Sequence, residues 1–193
     1  MKQHLILASK SPRRKELLKL ITPSFDVIAS DVSEHLDEEV SPHETVSTLS
    51  ERKAKAIAQK YVDSFVIGAD TVVCFQGEIL GKPHTPKHAK EILNLLSGRK
   101  HQVFTGVTII HNNINETFFV ETSVTFRSLE KDEIDSYIET KEPFDKAGAY
   151  GIQGYGALFV EEVHGDYNSV VGLPVSRTYL VLKELGFHFN ENK

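Results

Sequence analysis

The sequence predicts an α/β fold, and three observations carry that expectation. Strand-like and helix-like patterns alternate along the whole of the 193 residues. One stretch, Phe65-Val-Ile-Gly-Ala-Asp-Thr-Val-Val-Cys-Phe75, is a continuous apolar run closed by Gln76-Gly77, as expected of a strand buried on both faces. Three helix starts share one form, a hydroxyl cap followed by proline, at Ser11-Pro12, Ser41-Pro42 and Thr85-Pro86.

In order along the chain, Leu5–Ser9 reads as a short buried strand, and a helix runs from Ser11 to about Leu20 with Leu17, Leu18 and Ile21 inward. A second strand is expected at Phe25–Ala29, followed by an acidic segment without periodicity from Asp31 to Glu39. The helix from Pro42 to Gln59 carries Val46, Leu49, Ala56 and Ile57 as its inward stripe, with Glu44 three residues after its cap. Glu78–Pro83 folds back beside the central strand, and the next helix, to Leu96, buries Ala89, Ile92, Leu93 and Leu96 before Ser97-Gly98 ends it. Residues 101–110 and 114–127 form a long hairpin around Asn112-Asn113. A helix over Ser128–Thr140, a glycine-rich loop over Pro143–Gly156, a strand over Ala157–Val163 and a final helix ending near Leu185 complete the chain.

The totals bound the function. The length suits one domain, or one domain with two lobes. A formal net charge of -5 argues against a stable nucleic-acid complex, so any phosphate site must be local. The single cysteine, Cys74, excludes an internal disulfide or a cysteine metal cluster and suits a reducing cytoplasm. No signal-peptide core and no apolar run of about 18 residues is present, so the expectation is a cytoplasmic protein without a membrane partner. Oligomeric state stays open, with a homodimer compatible.

Five places carry residues that the fold alone does not require. Asp70 and Thr71 interrupt the buried strand, and an ionised carboxylate there needs a partner or a metal. Lys82 follows on the returning segment, which suggests one site shared with Asp70. The run Arg13-Arg14-Lys15 sits in a first helical turn, where cations oppose the helix dipole unless an anion occupies the free N–H groups. Lys53 falls on the inward stripe of its helix, either snorkelling or placed to face a phosphate or carboxylate. Glu34 directly follows a strand end within the acidic segment. Finally, four glycines between Gly148 and Gly156 let the main chain approach a ligand closely, in a loop that also holds Asp145, Lys146 and Gln153.

Taken together these stretches resemble the Maf family of nucleotide pyrophosphatases. The likeness rests on Leu7-Ala-Ser-Lys-Ser-Pro-Arg-Arg14, Lys53-Ala-Lys-Ala56, Gly68-Ala-Asp-Thr71, Leu80-Gly-Lys-Pro83, Leu96-Ser-Gly98, Asp145-Lys-Ala-Gly-Ala-Tyr-Gly-Ile-Gln-Gly154 and Val171-Gly-Leu-Pro174. It implies an extended mixed sheet flanked by helices, in two lobes with a central cleft. It implies hydrolysis of a nucleoside triphosphate to the monophosphate and pyrophosphate with a divalent metal. By the same resemblance Asp70 is the proton acceptor, and Arg13, Thr71 and Gln153 stand at positions tied to base preference. Ser9, Arg14, Glu34, Lys53 and Lys82 complete the phosphate and metal site. Thr71 and Gln153 match the subgroup acting on dTTP and UTP, rather than the one preferring 7-methyl-GTP.

The chemistry fits those residues. Water attacks the α-phosphorus slowly because the triphosphate repels it and pyrophosphate must leave with its charge stabilised. Mg²⁺ or Mn²⁺ suits an all-oxygen site built from Glu34 and Asp70 with substrate phosphates. Two rivals stand beside this expectation: a nucleotide-sensing regulator of cell division that binds without cleaving, and a pyrophosphatase for modified purine nucleotides.

Overall fold

The computed structural model describes residues 3–36 and 40–189; residues 37–39, part of the expected acidic segment, lie outside the described set. Among the described residues seven strands form a sheet in the order β2-β1-β3-β5-β6-β7, with β4 paired to β3. The strands are β1 (Leu5–Leu7), β2 (Asp26–Val27), β3 (Phe65–Phe75), β4 (Glu78–Leu80), β5 (Lys100–His111), β6 (Ile114–Phe126) and β7 (Val160–His164). The helices are α1 (Pro12–Lys19), α2 (Pro42–Ala58), α3 (Pro86–Leu96), α4 (Lys131–Glu139), α5 (Tyr167–Val171) and α6 (Val175–Glu184). Parallel and antiparallel pairs coexist, so the fold is the expected α/β class with a mixed sheet.

The chain divides into two compact units. The first holds the segments up to Asp70, Thr105–Val120 and the chain from Gly172 onward; the second holds Thr71–Phe104 and Glu121–Val171. In the first unit β1 pairs in parallel with β2, through Ile6 and Asp26, and with β3, through Leu5 and Phe65. Ile6, Ala8, Val66, Ala54 and Ile57 pack there into a buried cluster. Burying a side chain of this size stabilises the fold by about 1.5–3 kcal/mol for the larger members. In the second unit β4 returns antiparallel to β3 with Cys74 opposite Ile79, and β7 runs antiparallel to β6 with a register shift at Thr125/Phe126. Phe126, Tyr150, Phe159 and Tyr137 form its aromatic core, in edge-to-face pairs 4.7–5.9 Å apart.

The helix caps follow from sequence chemistry. Ser11, Ser41 and Thr85 each accept a backbone N–H in the first turn of α1, α2 and α3, and each is followed by proline. In α2 Glu44 also reaches back to the Ser41 N–H, a reciprocal capping box. Positive φ at Asn112 (49°) and Asn113 (64°) makes the β5–β6 turn the mirror-image type whose twist matches the strands. Gln76 (52°) and Gly77 (89°) do the same between β3 and β4.

Three expectations shift. Residues 157–159, expected to open the last strand, belong to a 3₁₀ turn, Tyr155–Phe159, and β7 begins only at Val160. Helix α4 starts at Lys131, capped by the Glu130–Glu133 box, three residues later than the pattern suggested. On α2 it is Ala54, fully buried, that faces the core, while Ala56 is half-buried. Among the described residues no helix is long and apolar enough to cross a membrane.

Candidate active site

The site in the first unit begins with a close approach of α2 to the sheet. A Cβ at Gly68 would lie 2.3 Å from the Ser50 carbonyl oxygen and 2.6 Å from the Ala54 nitrogen. On β5, a Cβ at Gly106 would lie 2.4 Å from the Val46 carbonyl oxygen. These two glycines form a saddle in which the helix backbone rests on the strand backbone. Asp70 is two residues after Gly68 and so points to the same face of β3. Lys53, on the turn of α2 that meets Gly68, is thereby delivered to it.

The result is an ammonium shared by two carboxylates. Lys53 Nζ donates to Asp70 Oδ1 at 2.6 Å and to Glu34 Oε1 at 2.7 Å. The Lys53 and Asp70 side chains are about one-tenth exposed, at 11% and 10%, whereas Glu34 is 55% exposed. The partner that a buried Asp70 carboxylate requires is therefore Lys53. With three donors on one nitrogen, Lys53 can satisfy both acids at once.

Glu34 is held by contacts that the sequence did not advertise. Arg52 Nη1 donates to the His35 carbonyl at 2.7 Å, and Lys10 pairs with Asp31 at 2.6 Å. The Arg52 contact is main-chain directed and sits next to Glu34, while the Lys10 pair is exposed and worth little. Arg52, one residue before Lys53 on α2, thereby tethers the loop that carries Glu34. The signals for Gly68 and Gly106 were present as isolated glycines within strands rich in Val, Ile and Thr.

The other half of this unit's site is the start of α1. Buried Ser9 Oγ accepts from the Ser11 N–H at 3.2 Å and from Arg14 Nη1 at 3.5 Å. Arg14 Nε donates to the Gly172 carbonyl at 2.8 Å, which fixes the guanidinium plane. Burial pulls the Arg14 pKa below its ordinary value, opposed by Asp70, aided by Arg13 and opposed again by Glu34. The first turn of α1 contains Arg13 and Arg14 and no acidic residue. An anion at that end would accept free N–H groups and relieve the repulsion.

The structure thus brings Ser9, Arg14, Glu34, Lys53 and Asp70 together, with Arg13 on the same helical turn as Arg14. Thr71, Lys82 and Gln153 belong to the second unit. Thr71 is half-buried on β3, on the strand face opposite that of Asp70; Lys82 is exposed just after β4; Gln153 is exposed in the glycine-rich loop. Among the described residues no group of three or more His, Cys, Asp or Glu gathers around one point.

An α/β sheet carrying a lysine-bridged carboxylate pair beside a cationic helix start defines a class of protein equipped to handle a polyanion. The chain belongs to the Maf-like protein family, whose family model matches residues 4–185. It is 55% identical over 184 residues to the dTTP/UTP pyrophosphatase of Bacillus velezensis, spanning 95% of this chain and 97% of that one. With the dTTP/UTP pyrophosphatase of a Geobacillus species it shares 54% over 187 residues, spanning 97% and 100%. A solved HAM1 protein from Coxiella burnetii has the same fold, with a TM-score of 0.54 at 12% identity over 94% of this chain and 99% of that one.

Proposed function

We propose that this chain hydrolyses pyrimidine nucleoside triphosphates, dTTP and UTP first among them, to the monophosphate and pyrophosphate. The observation that carries the reading is Lys53 bridging Asp70 and Glu34 on the floor of a cationic site. The names borne by relatives at 54–55% identity support the choice of nucleotide.

In this reading Asp70 accepts the proton of the attacking water as its oxygen bonds to the α-phosphorus and the bond to the bridging oxygen of pyrophosphate breaks. Lys53 holds the buried Asp70 carboxylate in place through its 2.6 Å bond to Oδ1, and turns toward substrate oxygens as their charge grows. Arg13, Arg14 and the Ser9 hydroxyl hold the phosphates at the start of α1, and Lys82 serves the leaving pyrophosphate. Thr71 and Gln153 select the base. The Gln153 amide can pair with the carbonyl and N–H edge of uracil or thymine, so a wrong base leaves polar groups unpaired.

The donor set suits a divalent cation. Glu34 and Asp70 present oxygens that already converge on one cationic centre, the Lys53 ammonium. Two protein carboxylates plus phosphate oxygens and water match the way Mg²⁺ or Mn²⁺ is held beside nucleotides. Such a cation supplies charge neutralisation and polarisation at the phosphates.

The test is a panel of pyrimidine and purine nucleoside triphosphates with Mn²⁺, measuring monophosphate and pyrophosphate. Turnover of dTTP and UTP is expected. No turnover on any nucleotide would favour the binding-only regulator, and turnover confined to purines would remove the pyrimidine assignment. Asp70→Asn should lower kcat by about 10²–10⁴-fold while the unfolding transition stays cooperative; a variant with parental kcat removes Asp70 as the base.

A further inference from the structure

The glycine-rich loop of the second unit is wrapped around a carboxylate of the protein itself. Glu142 Oε2 accepts from the Tyr155 N–H at 2.9 Å, and Oε1 accepts from the Gly156 N–H at 3.2 Å and from the Tyr137 hydroxyl at 3.0 Å. The same Tyr137 oxygen accepts the Gly151 N–H at 3.2 Å. Both ends of the segment 151–156 are therefore tied, one by Tyr137 and the other by Glu142.

The glycines explain why the wrap is possible. A Cβ at Gly154 would lie 2.2 Å from Glu142 Oε2, one at Gly151 would lie 3.1 Å from Glu142 Oε1, and one at Gly156 would lie 3.0 Å from the Tyr137 hydroxyl. Gly154 thus makes room for the clasp outright; a Cβ at Gly151 would first meet the Lys146 stem at 2.6 Å and one at Gly156 the Gly151 carbonyl oxygen at 2.7 Å, so those two also let the loop pack on itself. Burial, with the Glu142 charge adding to it, pushes the Tyr137 pKa well up, so its hydroxyl stays a donor across the working range of pH. Its ring is fixed edge-on to Phe159, with centroids 4.9 Å apart.

Between the two anchors lies exposed Gln153. An exposed glutamine on a free loop would lose much of its selectivity to rotamer and backbone entropy. We propose that Glu142 is a positioning residue for base recognition: its carboxylate, with Tyr137, fixes the 151–156 backbone so that Gln153 meets the nucleobase in one geometry. This rests on the reading of Gln153 as the base-selecting side chain. Glu142 itself touches no substrate.

The experiment compares parent, Glu142→Gln, Gln153→Ala and the double variant on UTP and a purine triphosphate with Mn²⁺. Glutamine keeps the size of the side chain but offers one acceptor oxygen and turns an N–H₂ group toward backbone donors. The expected result is a rise of about tenfold in KM for UTP, as for loss of one charge-assisted bond, with kcat changing far less and pyrimidine selectivity falling. In the Gln153→Ala background, Glu142→Gln should cause no further loss of selectivity. Faster hydrogen exchange at the Gly151, Tyr155 and Gly156 amides should accompany it.

Parental KM and selectivity in Glu142→Gln would overturn the proposal, as would an equal loss of selectivity with and without Gln153. A parent chain that turns over no nucleotide would defeat the functional reading instead. If Gln153→Ala keeps parental selectivity, the base-selecting role falls, and this assignment with it. Should Glu142→Gln not fold, Tyr137→Phe removes only the oxygen at the other anchor and is read by the same four measurements.

Discussion

Replacing Gly68 by alanine tests how α2 positions the site. The added Cβ would stand 2.3 Å from the Ser50 carbonyl oxygen and 2.6 Å from the Ala54 nitrogen, both backbone atoms that cannot rotate away. Relief requires α2 to lift from β3 by about 1 Å to reach ordinary contact. Such overpacking costs about 2 kcal/mol. For a chain of this length that lowers the thermal midpoint by roughly 4–8 °C. Because Lys53 rides on the displaced turn, its 2.6 Å bond to Asp70 lengthens as well. Misplacement by about 1 Å can cost on the order of 10²-fold in rate. The expected outcome of Gly68→Ala is therefore a well-folded protein with a lowered midpoint and a much larger drop in kcat than in affinity for UTP. Thermal unfolding followed by circular dichroism and steady-state kinetics read both effects. A variant that melts with the parent and keeps parental kcat would refute the saddle as the device that sets Lys53 against Asp70. The same substitution at Gly77, where a Cβ meets nothing within 4 Å, tests the alternative that any glycine of this segment matters. Its φ of 89° adds backbone strain of its own, but that strain lies away from α2 and should leave kcat near the parental value.

Two further perturbations probe stability alone. Buried His101 is fully enclosed, bonded through Nε2 to the Tyr150 hydroxyl at 2.8 Å, and burial lowers its pKa to about 4. Its folded pKa lies below the unfolded value, so the stability it contributes is present above about pH 6.5 and is lost as pH falls toward 4, at about 1.4 kcal/mol per pH unit. His101→Gln should flatten the slope of unfolding free energy between pH 6 and pH 4.5 in urea titrations; an unchanged slope would mean that another group drives acid unfolding. Ser41→Ala removes the cap and half of the capping box at the start of α2, and should cost about 1 kcal/mol with no change in the ranking of nucleotides. A shift in that ranking would connect the helix start to recognition, which nothing in its geometry suggests.

Local chemistry explains what was legible in the sequence. Ser11-Pro12, Ser41-Pro42 and Thr85-Pro86 fill caps whose donors and acceptors lie within four residues, so each helix start could be read directly. Asn112-Asn113 encodes its turn in the same way, through the tolerance of asparagine for positive φ. Helical periodicity also placed Lys53 inward. Which strand it would meet is a different kind of information, carried by Gly68 and Gly106, whose missing side chains matter only once α2 is laid across them.

The misread segment at 157–159 has the same origin. The apolar run from Ala157 suits a strand, yet the Tyr155 and Gly156 N–H groups just before it are taken by Glu142, 13 and 14 residues earlier in the chain. Once those donors are spent, the backbone tightens into a 3₁₀ turn and pairing with β6 begins only at Val160. Arg52 repeats the pattern on the other unit, where it binds the carbonyl of His35, 17 residues earlier in the chain and beside Glu34. In both cases a charged side chain satisfies main-chain groups distant in sequence, and in both the tethered segment carries a candidate site residue, Gln153 or Glu34. The residues that touch substrate in this reading stand out by type and spacing; those that hold them still do so through backbone atoms, which every sequence contains and none displays.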